Sequence, residues 1–139
     1  MTVVVDASVV IKWLLHDPLR EDGTEKATQV MEQVMRGDQP ALQPSHWLIE
    51  VAAVLARESP KTAAEDVAML AALELPVTDD GLILQAGVEL AISLKQHLFD
   101  TFYHAVALAT PGATLITADQ RYLRAARAAG QIVNLMDWH

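Results

Sequence analysis

The sequence contains no cysteine, which excludes disulfides, thiolate zinc sites and a cysteine nucleophile. Any metal bound by this chain must be held by oxygen or imidazole. Aromatic residues make up only 5% of a chain that is 52% hydrophobic, so the core has to be built mainly from valine, leucine, isoleucine and alanine. That mixture suits helices packed on a buried sheet. No apolar run approaches the roughly 20 residues that a membrane span requires, and the opening run Val3 to Val5 is broken by Asp6 with no basic leader before it. A cytoplasmic protein with no membrane partner is the expectation. Basic residues are also scarce: 10 Lys and Arg stand against 18 Asp and Glu, a net charge of -8. This argues against a broad basic surface that holds nucleic acid. It leaves room for an enzyme whose bound cations neutralise charge at a local site.

The 139 residues fit one domain, taken as 1–139, with no repeat, linker or low-complexity tract. Thr2 to Val5 reads as a buried strand ending on Asp6. Ser8 to Leu15 places apolar residues around a lone Lys12, as in a short buried helix, and His16 to Gly23 is a polar loop containing Pro18. Thr24 is a candidate N-cap for a helix to about Arg36, stopped by Gly37. Pro40 to Gln43 follows as a candidate strand; Ser45 then caps a helix through Ala56, and Ser59 and Pro60 separate it from a helix over Lys61 to Leu73. Leu75 to Val77 is a short strand candidate, Asp79 or Asp80 caps a helix over Leu82 to His97, and Asp100 to Ala109 forms another. Thr114 to Thr117, a helix from Gln120 to Ala129 and a last strand Ile132 to Leu135 complete the chain. The alternation predicts an α/β fold of three α/β/α layers with a short parallel central sheet.

Asp6 and Asp119 each follow a predicted strand, at the edge where open α/β sheets bind ligands. Asp6, Asp100 and Asp119 also stand before helical patterns, so each can be an N-cap whose carboxylate accepts a backbone N–H. Glu50 is different. It lies within WLIEVAAVLA, where Trp47, Ala53 and Val54 are its helical neighbours, and it is too deep for a capping box from Ser45. A buried ionised carboxylate needs a cation or a hydrogen-bond partner. The alternative is a partly exposed Glu50 beside His46, four residues earlier. If the four acids share one crevice, they cannot all stay ionised without a counter-charge, and a hard divalent cation, Mg²⁺ or Mn²⁺, supplies one. The chemistry that follows is metal-assisted phosphodiester hydrolysis.

At these residues the sequence resembles a known family. VVVDASVVIKWL, then PSHWLIEVAAVLAR, FDTFYHAVALA and LITADQRYL look like the successive motifs of PIN-domain proteins, in particular the ribonuclease toxins (VapC type) of VapBC toxin–antitoxin modules. The resemblance covers the whole chain, in order. It implies that Asp6, Glu50, Asp100 and Asp119 form the acidic catalytic and metal-binding set, with the hydroxyls of Ser8 and Thr117 beside it. It further implies an Mg²⁺- or Mn²⁺-dependent endoribonuclease acting on RNA, a homodimer, and a small VapB-like antitoxin that covers the site and couples the complex to operator DNA.

His104 departs from the pattern, since an apolar residue is usual there. One turn after Asp100, it can approach the metal or the phosphate, or it can be a helix-surface histidine paired with Asp100. Arg121, Arg124 and Arg127, three apart, can touch the RNA backbone or form a solvated face, and Lys12 is an equivalent phosphate candidate. Trp13 and Trp47, in apolar helices, read as core. Other functions compete. An aspartate-nucleophile phosphohydrolase would use Asp6, but DAS lacks an acid two residues on. A phospho-acceptor receiver expects a lysine after its last strand, and QIVNLMDWH has none. A non-catalytic PIN-like binding module would have no need of all four acids.

Overall fold

The computed structural model describes residues 1–15 and 23–139, so the loop expected over His16 to Gly23 lies outside the described residues except at Gly23. Strand β1 (Val3–Val5) leads into helix α1 (Ala7–Leu15), and α2 (Thr24–Met35) precedes β2 (Gln43–Pro44). Then come α3 (Trp47–Glu58), α4 (Ala63–Ala72), β3 (Val77–Thr78), α5 (Gly81–Leu94) and α6 (Leu98–Ala109). Strand β4 (Thr114–Thr117), α7 (Gln120–Ala126) and β5 (Ile132–Asn134) complete the fold, with short 3-10 turns at Arg127–Ala129 and Leu135–Asp137.

The central sheet is parallel, in the order β1-β4-β5, with Val5 opposite Ile116 and Thr117 opposite Asn134. Successive strand residues point to opposite faces. Val3, Val4 and Val5 are all essentially fully buried, so helices cover both faces, which is the three-layer α/β arrangement the alternation predicts. No helix among the described residues is long and apolar enough to cross a membrane.

A second parallel pair, β2-β3, stands beside β1. A single bridge between Val3 and Ala41 begins to join the two sheets, and the side chain of Gln43 finishes the join. Its Nε2 donates to the Val5 carbonyl at 2.8 Å and its Oε1 accepts from the Val5 N–H at 2.7 Å. The backbone N–H of Gln43 is engaged elsewhere, on Pro76. A buried amide thus takes the place of one rung of backbone pairing, one residue before Asp6.

Several boundaries move from their expected places. Pro44 lies in β2 and not in a helix, Ser45 spends its N–H on Thr78, and α3 begins at Trp47 behind His46. Gly23, in the left-handed conformation at φ 88°, precedes α2 in place of a Thr24 cap. The helix expected to reach His97 ends at Leu94, because Lys95 adopts a left-handed φ of 56°; α6 then starts at Leu98, capped by His97, whose Nδ1 accepts from the Phe99 N–H. Asp80 does cap α5, accepting from Leu82 N–H at 2.8 Å. Gly87 is the one buried residue of α5; there Thr101 of α6 donates to the Gly87 carbonyl at 2.8 Å, and a Cβ would meet the Phe102 backbone at 3.4 Å. The rest of α5 leaves Leu82, Leu84, Val88 and Ile92 exposed.

Gln43→Leu keeps the volume and removes both hydrogen bonds, leaving the Val5 N–H and carbonyl buried and unpaired. Each such group costs about 1–3 kcal/mol, so a loss of about 2–4 kcal/mol in urea unfolding is expected. A loss under about 0.5 kcal/mol would show that the amide is not the joint between the sheets.

Candidate active site

Parallel pairing of β1 and β4 brings their carboxyl ends side by side, so Asp6 emerges next to Thr117. The Thr117 hydroxyl donates to Asp6 Oδ2 at 3.2 Å, and both the N–H and the hydroxyl of Ser8 donate to that same oxygen. All these bonds fall on Oδ2, so the Asp6 rotamer is fixed while Oδ1 takes none of them. Ser8 Oγ in turn accepts from Ala118 N–H at 3.0 Å, and Thr117 Oγ1 accepts from Asp119 N–H at 3.1 Å. The two small hydroxyls therefore lace the ends of both strands around one carboxylate.

The other acids come from helix starts. Asp119 caps α7, accepting from Tyr122 N–H at 3.0 Å. Asp100 lies inside the first turn of α6 and is no cap, since His97 holds that place. Glu50 lies in the first turn of α3, whose cap is His46, one residue later than the expected Ser45, and the buried stripe is Trp47, Val51 and Leu55 with Glu50 at its edge. It sits against His46, as one reading of the sequence had it, with His46 Nε2 at 3.2 Å from Glu50 Oε2. All four acids thus stand at or before a helix N-terminus, where the macrodipole favours negative charge.

That compensation is incomplete. Asp6, 7% exposed, has its carboxyl pushed up to about 6, first by burial and further by the charge of Glu50, against the lowering hydrogen bonds from Ser8 and Thr117. Asp100 is also pushed up to about 6, by burial and then by the charges of Asp6, Glu50 and Asp119, with His97 opposing. These mutual effects place the four acids in one electrostatic cluster. Even so, among the described residues no group of three His, Cys, Asp or Glu side chains converges at direct metal-ligating spacing. The carboxylates thus act on one another's ionisation without forming a closed chelating set among the described residues. Mg²⁺ suits that geometry, since it keeps several waters and is held through one or two carboxylates. The donor set is all oxygen, and Glu50 Oε2 is buried without a hydrogen bond, so the residues fit a hard divalent cation.

His104 is a correction. It lies neither on the helix surface nor within reach of substrate, and it does not pair with Asp100. Residues Thr101 to Ala107 are all buried, so this part of α6 has no solvated face. Its Nε2–H donates to the Gly130 carbonyl at 2.7 Å and its Nδ1 accepts from the Tyr122 hydroxyl at 2.9 Å. Burial holds its pKa below the ordinary histidine range, so the ring is neutral and both nitrogens are used. Arg121, Arg124 and Arg127 are exposed, but α7 ends at Ala126, so they do not share one continuous helix face. Lys12 lines a cavity of about 360 Å³ with Ala118, Gln120 and Asn134, next to the Asp119 segment. Trp47 is buried and Trp13 packs against the core.

Two neighbours of the acids escape a sequence reading. The Tyr103 hydroxyl is buried with no hydrogen-bond partner, its pKa pushed up by burial and by the charges of Glu50, Asp6 and Asp100. Within an apolar helix it reads simply as core. Tyr122, also pushed up by burial and by Asp100, Asp6 and Asp119, joins the His104 pin to the acid cluster.

The PIN domain family matches residues 3–128 of the chain. No curated protein matches it. Among solved structures, the crystal structure of VapBC2 from Rickettsia felis bound to a DNA fragment from their promoter is similar in fold. The TM-score is 0.67, over 96% of this chain and 98% of that one, at 14% identity.

The raised Asp6 carboxyl has a thermodynamic consequence. From its ordinary 3.8 to about 6, at roughly 1.4 kcal/mol per unit, ionising Asp6 in metal-free protein costs about 3 kcal/mol of stability. The cost is absent below pH 3.8, where the group is protonated folded and unfolded; it grows as pH rises towards 6 and is constant above. Asp6→Asn keeps an acceptor for Ser8 and Thr117 and removes the charge. In EDTA, the variant is expected to be more stable than the parent at pH 7.5, with the difference shrinking towards pH 4. A difference independent of pH in urea unfolding would contradict this.

Proposed function

The chain belongs to the PIN-domain family, and from that premise we propose that it is a divalent-metal-dependent endoribonuclease that acts as the toxin of a two-protein toxin–antitoxin pair. PIN domains are in general nucleases. The observation that carries the reading is the electrostatic cluster of Asp6, Glu50, Asp100 and Asp119, in which the carboxyls of buried Asp6 and half-buried Asp100 are forced up to about 6. A fold that needed these acids only as caps would not hold them within range of one another. Asp6 and Asp100, with Glu50 and Asp119 around them, would hold Mg²⁺ or Mn²⁺. Once bound, such an ion neutralises charge on the phosphate and lowers the pKa of water for attack at phosphorus.

The remaining chemistry belongs to the chain itself. Ser8 and Thr117 fix the Asp6 rotamer by occupying Oδ2. The helix N-termini behind the acids hold their charge in place before substrate arrives. Lys12, which lines a cavity with Ala118 and Gln120, and the exposed Arg121 are the candidate cations for the RNA backbone; such contacts position a strand without reading its sequence. His104 has no part in substrate contact, both its nitrogens being spent on Tyr122 and Gly130.

The same reading gives the chain two protein partners, a second copy and a small antitoxin that covers the acids. Pairing of two copies is supported by the exposed Leu82, Leu84, Val88 and Ile92 of α5, an apolar surface that a monomer rarely leaves open. With a net charge of -8, the chain would meet operator DNA only through the antitoxin.

Purified protein is expected to cleave RNA internally with Mg²⁺ or Mn²⁺ and to stop in EDTA. Asp6→Asn and Glu50→Gln should each lower the rate by roughly 100-fold. Cleavage that continues in EDTA, or variants with full activity, would overturn the reading.

A further inference from the structure

His46 sits where α3 and α6 meet. It immediately precedes α3, and its ring lies among the rings of Phe99, Phe102 and Tyr103 from α6, at centroid distances of 5.1, 5.3 and 4.9 Å, stacked at 13° on Phe102. Nε2 lies 2.9 Å from the Phe99 carbonyl. A carbonyl only accepts, so Nε2 carries the proton and donates. The same nitrogen lies 3.2 Å from Glu50 Oε2, off the line of that bond, for Oε2 makes no hydrogen bond. One N–H edge therefore touches both the carboxylate of Glu50 and the peptide carbonyl directly before Asp100.

A purely structural residue would be chosen differently. Nδ1 of His46 is buried with no partner, and an unpaired buried polar atom is destabilising. Phenylalanine would stack on the three rings without that cost. What phenylalanine lacks is the N–H edge. Glu50 and Asp100 come from different helices with no strand pairing between them, and the His46 ring is a direct link from the start of α3 to the part of α6 that carries Asp100. The groups beside a metal-binding carboxylate fix its orientation, and their loss typically costs ten- to hundred-fold in metal affinity.

We infer that His46 is a positioning residue for the metal centre, setting the spacing of Glu50 and Asp100 through its Nε2–H edge while contacting neither metal nor RNA. This rests on the metal-site reading above. The test is Mn²⁺ titration of the whole chain by calorimetry, with thermal unfolding in EDTA as the fold control. His46→Phe retains the ring packing and should weaken Mn²⁺ binding about ten-fold or more, with an unfolding temperature equal to the parent's or higher. His46→Gln, which returns an N–H near the position of Nε2, should recover most of the affinity. Phe and Gln variants that both bind as the parent does would overturn the inference and leave the metal site standing. So would a Gln variant as weak as the Phe variant, including the case where the Phe variant does not fold and the Gln variant folds but binds weakly. A parent chain that binds no Mn²⁺ would remove both.

Discussion

The withdrawal of acids from water beside one another, at one edge of a short parallel sheet, is the constraint on which the rest of this structure depends. Asp6 and Asp100 are held where their ionisation is opposed, by loss of water first and by neighbouring acids second. Folding alone offers no reason to gather them. The chain spreads the cost by placing every acid at or before a helix N-terminus and by loading the hydrogen bonds of Asp6 onto a single oxygen. What remains, among the described residues, is a site whose acids oppose one another's ionisation, and in the proposed reading a divalent cation relieves that opposition. Strain of this kind is stored at functional sites and supported by the surrounding fold.

The support comes from side chains doing what backbone usually does. Gln43 stands in for a rung of β pairing beside Val5, so the strand that carries Asp6 is flanked on both sides. Neutral His104 ties α6 to Tyr122 of α7 and to Gly130 ahead of β5. Each polar group is buried and engaged, which makes it expensive to lose one partner alone. Gln43 braces β1, which leads into Asp6, and His104 braces α6, which carries Asp100; neither is available to substrate.

Much of this was legible in the residues. Three valines running into Asp6, and LIT running into Asp119, specify parallel strands ending on acids, because β-branched runs and strand-end carboxylates are local signals. The family resemblance and the matched family agree over nearly the whole chain. Helix phase was less legible. Pro44 reads as a helix starter and is a strand residue, because its pairing partner Thr78 lies far along the chain. For the same reason Glu50 looked deep in a helix and stands in its first turn. His104 shows the limit most clearly: spacing from Asp100 gives the helical face, but not that α6 is enclosed from Thr101 to Ala107, which depends on α5, α7 and the sheet together. Gln43 and Tyr103 gave no signal, since nothing local distinguishes a polar group that caps a strand edge or faces an acid cluster from any other.

The central claim is that these acids share one divalent cation site. Diffraction from crystals soaked in Mn²⁺, recorded at the manganese absorption edge, tests it most directly. The account predicts an anomalous peak at the carboxyl ends of β1 and β4, with an oxygen of Asp6 or Asp100 within about 2.2 Å and waters completing the shell. A soaked crystal with no peak at that edge, or with manganese bound only elsewhere on the chain, would contradict it.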